Sequence, residues 1–242
     1  MSEPHPNITA EKSPDFARAL RRGFLSFAGF VLIMAGSMIL GARRLDWLPG
    51  WAFLAVYLAI TVVAVAYLRR TNPEVLIARS SFHWRDQTPA HKVIFVLLIA
   101  FFLAIFPVAA LDDGRFHWSR VPLWLTLAGY LLFLIGNVGS AWVLRANKFA
   151  EPSVSIQADR NHKLVDNGPY TIVRHPLYAA AFLFCFGMPL ALASYWAFIP
   201  AALGYLVIIV RTAMEDHMLQ NGLAGYKEYA ARVRYRLIPG VW

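Results

Sequence analysis

Four uninterrupted apolar stretches decide what this chain can fold into: Gly23 to Ala42, Trp47 to Leu68, Val93 to Leu111 and Val121 to Leu144. Each meets the requirement of about 20 residues for crossing about 30 Å of hydrocarbon. A fifth run, LYAAAFLFCFGMPLALASYWAFIPAALGYLVIIV, extends from Leu177 to Val210. At 1.5 Å rise per residue it would reach about 51 Å, too long for one crossing. It reads instead as a helical hairpin turning near Ala193, Ser194 and Tyr195, each arm near the lower limit of about 17 residues. The expectation is an all-α, polytopic membrane bundle of about six transmembrane helices. A composition of 58% hydrophobic and 15% charged residues agrees, because an ordinary soluble domain has about 45–50% and 25%.

The net charge of +9 would suit nucleic acid, but no RNA- or DNA-binding pattern accompanies it. Its distribution gives the better account. Of the 23 Lys and Arg residues, 19 fall on one side of the expected spans, and only Arg43, Arg44, Arg115 and Arg120 on the other. Positively charged loops stay cytoplasmic, so both termini are expected there, in the inner or plasma membrane if the source is bacterial. The single Cys185 permits neither a disulfide framework nor a cysteine-based metal site. About 22 polar residues precede the first apolar run and no cleavage pattern follows it, so the N-terminus reads as a retained anchor. Residues 1 to 15, with three prolines, are expected to be disordered. The chain divides into a polar cytoplasmic N-terminus (1–22), a four-helix membrane region (23–144) and a C-terminal region (145–242).

The C-terminal region departs from a passive bundle. From Arg145 to Pro176 runs a polar interval, RANKFAEPSVSIQADRNHKLVDNGPYTIVRHP, where about 2–8 residues would serve as a connector. It holds a turn signal at Asp166, Asn167, Gly168 and Pro169 and ends in Arg174-His175-Pro176-Leu177-Tyr178 at the mouth of the hairpin. Alone, that pentapeptide reads equally as a basic-aromatic interfacial anchor. At the hairpin's other end, Arg211 and Glu215 stand at i and i+4 on one helix face, followed by Asp216. Ionisable groups at a membrane boundary tend to face the bundle interior or a water-filled cavity. The hairpin returns them beside Arg174, His175 and Tyr178, so one polar pocket is expected. The tail places Tyr226, Tyr229, Ala230, Val233 and Leu237 at helical spacing against charged residues. That is an amphipathic helix which either lies on lipid, the simpler reading of its pattern, or caps the pocket.

With these residues on the page, the block from Asn147 to Pro239 resembles the isoprenylcysteine carboxyl methyltransferase family, whose relatives include membrane phospholipid N-methyltransferases. The family pattern runs H-x-L-V, G-x-Y, R-H-P-x-Y, a hairpin, then R-x-x-x-E-[ED]-x-x-L. Its counterparts stand in order as His162-Lys163-Leu164-Val165, Gly168-Pro169-Tyr170, Arg174-His175-Pro176-Leu177-Tyr178, and Arg211 with Glu215, Asp216 and Leu219. Ala180 replaces a common glycine, Asp216 a common glutamate, and Gln157 stands where an upstream glutamine is usual but at shorter spacing.

The resemblance implies an S-adenosyl-L-methionine site bounded by the loop, the hairpin and the tail. His162, Lys163, Leu164 and Val165 would supply mainly backbone contacts around the adenine. Tyr170, His175 and Tyr178, with Pro176 and Leu177 between the last two, would line the nucleoside and sulfonium. Glu215, beside Asp216, would receive the amino acid part, and Arg211 and Arg174 would be catalytic, with Arg211 gripping the acceptor. The expected reaction is methyl transfer to a lipophilic small molecule or lipidated acceptor drawn from the membrane, most like isoprenylcysteine carboxyl O-methylation. A carboxylate acceptor would need positioning by Arg211; an amine or thiol would need Glu215, Asp216 or His175 to take a proton. Neither nucleic acid nor a metal is expected as a partner.

Two other classes stay open. Membrane sterol and enone reductases have a similar C-terminal hairpin and use NADPH, but would bring basic residues for a 2′-phosphate in a pattern not recognised here. A non-catalytic scaffold or small transporter would bind no methyl donor, and a transporter would show repeats and paired broken helices. His83, Trp84, His91, His117 and Trp118 read as interfacial residues, and Asn72-Pro73-Glu74 as a helix stop and restart.

Overall fold

The computed structural model describes residues 14–80, 84, 87–153, 155, 157 and 161–242. Among them the chain is helical throughout, in the order α1 (Pro14–Ala42), α2 (Leu48–Thr71), α3 (Pro73–Arg79), α4 (Pro89–Ala109), α5 (Leu123–Ala146), α6 (Pro176–Ala191), α7 (Phe198–Gly222) and α8 (Tyr226–Arg232). Five of these, α1, α2, α4 with its continuation to Phe116, α5 and α7, are long and apolar enough to cross a bilayer. Leu32, Leu40, Val62, Leu123 and Val138 point outward and exposed, which suits a surface that meets lipid. The protein is an integral membrane helix bundle.

The expected hairpin is present as α6 and α7. Its turn occupies residues 192–197, with Ala193 at a positive φ of 56°. The arms are unequal, however. α6 is only 16 residues long and α7 runs to 25, so α7 projects well past Val210 and carries Arg211, Glu215 and Asp216 on continuous helix. At the other end of the chain, α1 starts at Pro14, so residues 14–22 are helical where a polar, irregular segment is expected. Its Phe16 and Ala19 are buried, which gives that first turn something to pack against. The disorder expected of residues 1–13 and the interfacial reading of His83 lie outside the described residues.

α6 is held against α5 at backbone distance. A Cβ on Gly187 would come within 2.7 Å of Gly129 O and Phe133 N, and one on Gly136 within 2.6 Å of Phe184 N. Without a strong hydrophobic force between helices in lipid, such close approach supplies the van der Waals contact that associates them. Phe53, Phe106 and Phe133 fill the centre of the bundle, with Phe53 and Phe133 ring centroids 5.2 Å apart.

At the hairpin-turn end, the chain after α4 widens into a π-helix, Ala110–Phe116. Asp112 is fully buried there. Its carboxylate accepts from Ser119 N at 2.8 Å, Ser119 Oγ at 2.5 Å, Ser194 Oγ at 2.6 Å and Trp196 N at 3.3 Å. One side chain thus joins the α4–α5 connection to the turn of the hairpin. At the opposite end, Asn72 Nδ2 donates to Leu144 O at 2.8 Å and Lys148 pairs with Glu74 at 3.2 Å. These contacts fix the start of the long polar interval beside α3.

Candidate functional site

The polar interval leaves α5 at Asn147 and crosses the end of the bundle with little regular structure. Among its described residues the helical element is a 3₁₀ turn, Gly168–Thr171, where Gly168 takes a φ of 56° that a side chain would strain. Asn147 Nδ2 donates to Tyr170 Oη at 2.7 Å, tying the two ends of the interval together. Between them the His162 ring stacks on Phe149 at 4.5 Å, and Gln157 Nε2 donates to Phe149 O at 2.8 Å. The chain then enters α6 with His175 as N-cap and Pro176 at the first helical position, where the missing proline N–H costs nothing.

The tail folds back over this entry. Arg174 N donates to Tyr235 O and His175 N to Arg236 O, both at 2.9 Å. Tyr229 Oη donates to Tyr170 O at 2.8 Å, and Tyr226 and Tyr229 are buried. The apolar face of α8 therefore covers the pocket and not lipid, which corrects the simpler sequence reading. The helix is only seven residues long; its tyrosines bring hydroxyls that need partners when buried, and the loop provides them where hydrocarbon would not.

Asp216 is the hub of the arrangement, fully buried. Arg174 Nε lies 3.0 Å from Oδ1 and Arg236 Nε 2.9 Å from Oδ2. Tyr226 Oη donates to Oδ1 at 2.9 Å and Gln220 Nε2 to Oδ2 at 2.8 Å. His175 Nε2 is 3.3 Å from Oδ1. A carboxylate taken from water needs this density of charged partners and hydrogen bonds. About 100° around the same helix, Glu215 Oε2 accepts from Tyr178 Oη at 2.6 Å, and Tyr178 Oη in turn accepts from Arg211 Nε at 2.8 Å. Arg211 Nη2 donates to Pro152 O. The expected i, i+4 pair is thus bridged by a tyrosine.

These segments enclose a cleft of about 790 Å³ including its open mouth. Of the residues expected at the site, His162, Leu164, Val165, Tyr170, Arg174, His175, Pro176, Leu177, Tyr178 and Glu215 line it. Lys163 points outward and is exposed. Arg211 and Asp216 stand behind the wall and not on it: Arg211 is occupied by Tyr178 and Pro152, and Asp216 is sealed by its cations. Both therefore act on the cleft through other side chains. Asn147, Phe149, Glu151 and Ser153 also line the cleft, though the sequence reading did not single them out, and so do Tyr226 and Tyr229 of the tail helix, for which capping the pocket was the second of two readings. Ser153 Oγ is buried and has no hydrogen-bond partner among the described residues. Burial pushes the Tyr170 phenol up to about 12, against a smaller opposing effect of Asn147. Tyr226 and Tyr229 are raised too, by burial first and then by the Asp216 charge and the Tyr170 phenol respectively. All three hydroxyls stay protonated and remain donors.

The family comparisons fall on this region. Residues 124–224 match the phospholipid methyltransferase family, a segment that runs from α5 through the polar interval and hairpin. The chain is 31% identical over 133 residues to a cobalt-zinc-cadmium resistance protein, CzcN, of Cupriavidus metallidurans, covering 52% of this chain and 56% of the relative. It is 27% identical over 125 residues to protein-S-isoprenylcysteine O-methyltransferase B of Arabidopsis thaliana, covering 48% and 58%. A nickel-cobalt-cadmium resistance protein, NccN, of Alcaligenes xylosoxydans xylosoxydans is 27% identical over 130 residues, covering 51% and 55%. The chain thus spans a little over half the length of these relatives. The segment from α5 to the end of α7 is thus similar to phospholipid methyltransferases, and the likeness to isoprenylcysteine methyltransferases read from its motifs holds.

Proposed function

We propose that this membrane protein is an S-adenosylmethionine-dependent methyltransferase acting on a lipophilic acceptor, its cleft opening at the cytoplasmic end of the bundle with both termini on that side. The observation that carries the reading is the cleft itself: the three motif segments within residues 162–178 and Glu215 of the fourth, across the hairpin, converge on one cavity. The residues there suit the donor. Glu215 offers an anionic carboxylate to an ammonium group. Tyr170, Tyr178, Tyr226 and Tyr229 bring aromatic rings to the lining, and such rings attract a cation by about 0.5–2 kcal/mol; Ser153 Oγ is a buried polar atom without a partner among the described residues.

Bound S-adenosylmethionine supplies a methyl group already activated by its sulfonium. The protein's share is then alignment and exclusion of water, worth up to about 7–11 kcal/mol in ideal geometry. His162 to Val165 would flank the adenine, with Leu164 and Val165 as apolar walls. Tyr170, His175 and Tyr178 would surround the nucleoside and sulfonium, with Pro176 and Leu177 setting the helix start that aims them. Arg174 and Asp216 would hold His175 in place, and Arg211 would orient Tyr178. The resemblance favours a carboxylate acceptor, as in isoprenylcysteine O-methylation. In the present contacts Arg211 would grip such a carboxylate only by leaving Tyr178 or Pro152.

Calorimetry of the purified full-length protein with S-adenosylhomocysteine, and separately with NADPH, tests this. Binding of the homocysteine product, lost in Glu215→Ala, is expected. Binding of NADPH alone would sink the reading in favour of a reductase.

A further inference from the structure

Three groups at the hairpin's polar end have the chemistry to take a proton from an acceptor: Glu215, Asp216 and His175. The structure separates them. Asp216 is fully buried, and its oxygens are engaged by Arg174, Arg236, Tyr226 and Gln220. Glu215 Oε2 already receives the Tyr178 hydroxyl at 2.6 Å, and Tyr178 Oη receives Arg211. His175 is different. Its Nε2 lies 3.3 Å from Asp216 Oδ1; a carboxylate only accepts, so that nitrogen carries the hydrogen and Nδ1 keeps its lone pair. Nδ1 lies 3.9 Å from Glu215 Oε1, beyond hydrogen-bond reach, and His175 lines the cleft. A base oriented by a buried carboxylate, with its other nitrogen turned to a reaction chamber, is the arrangement that activates nucleophiles in many unrelated enzymes.

We infer that His175, oriented by Asp216, is the proton acceptor of the transfer, so that the acceptor atom carries a dissociable proton, as an amine or a thiol does. The inference rests on the methyltransferase reading. The acceptor heteroatom bonds to the methyl carbon as the carbon–sulfur bond of the donor breaks, leaving the thioether. Its proton passes to Nδ1 and from there to water, so charge and atoms balance. Arg211 agrees with this assignment, because Tyr178 and Pro152 hold it away from the cleft wall where a carboxylate acceptor would need it. The groups facing His175 are Glu215 and Asp216 on α7, Tyr226 on α8, Arg174 and Tyr178 beside it in sequence, and Arg236 of the tail, whose guanidinium reaches the same carboxylate.

The test uses the full-length protein in lipid nanodiscs. Nitrogen-15 spectra of the imidazoles should show His175 with hydrogen on Nε2. Labelled methyl transfer is then measured to three probes: phosphatidylethanolamine vesicles, a long-chain thiol and an S-prenylated N-acetylcysteine carboxylate. Turnover of the amine or thiol probe is expected, rising with pH to a plateau. It should fall by about a hundredfold or more in His175→Gln, the usual weight of general base catalysis, and by far more than any loss of S-adenosylhomocysteine affinity in the same variant. The inference is overturned by a ring protonated on Nδ1, by a pH-independent rate, by turnover confined to the carboxylate, or by product binding with no transfer to either proton-bearing probe. Absence of S-adenosylhomocysteine binding defeats the methyltransferase reading itself and is distinct from all of these.

Discussion

Asp112 and Asp216 are both fully buried and sit at opposite ends of the α6–α7 hairpin, yet they are satisfied by opposite means. Asp112 receives neutral donors, two serine hydroxyls and two backbone N–H groups. Asp216 is paired with two guanidiniums and approached by an imidazole. A carboxylate fed by backbone and hydroxyls fixes the path of the chain and does little else. One fed by Arg174 and His175 is placed where those side chains have a second task, since both line the cleft. The same residue type therefore serves as a clamp at one end of the bundle and as the support of a site at the other.

Substitution at the two aspartates is the sharpest way to break that contrast. Asp216→Ala strands the buried Arg174 beside the half-buried Arg236, and removing one partner of a buried pair costs about 3–5 kcal/mol; S-adenosylhomocysteine binding should disappear by calorimetry and the thermal midpoint should drop most of all. Asp112→Ala leaves buried donors unmet at about 1–3 kcal/mol each. It should lower the midpoint while the folded fraction still binds the product with unchanged affinity. If both variants lose binding alike, the division into clamp and support is wrong. Gly187→Ala overfills the α5–α6 contact between the two ends, at about 1–3 kcal/mol. Its effect should appear in stability and not in affinity, unless the ends communicate through that contact. The smallest effect is expected at the exposed Arg232–Asp166 pair, 2.6 Å apart, where Arg232→Ala should change stability by about 0–1 kcal/mol and leave affinity within error.

Much of the fold was legible because bilayer thickness writes itself directly into sequence. The spans, the hairpin and its turn at Ala193 to Tyr195 all follow from runs of apolar residues, whereas the inequality of the arms does not. α7 continues beyond its apolar stretch because Arg211, Glu215 and Asp216 find partners on the loop and tail, and hydropathy carries no sign of such partners. The helical start at Pro14 escaped for a related reason, since only tertiary contact buries Phe16 and Ala19. At the site, the motif residues were legible as a group but not by depth. Sequence spacing put Glu215 and Asp216 side by side, and adjacent helix positions point about 100° apart, so one lines the cleft and the other sits behind it. Tyr226 and Tyr229 carried a readable signal, two aromatics at i and i+3 on an amphipathic helix, but that pattern fits lipid as well as a neighbouring loop. Asn147 gave none, because its partner Tyr170 is reached only through a connection without regular repeat.

The bonds from Arg174 N to Tyr235 O and from His175 N to Arg236 O also set an order of assembly. Transmembrane helices insert one after another and associate afterwards, so α1 to α7 can be in the bilayer while the wall that seals the cleft is still being synthesised. A ribosome that stalls before Arg236 would leave an inserted bundle with Asp216 short of a cation and His175 without its backbone tie. Closure of the cleft therefore waits on the tail, after the helices that form its other walls are in place.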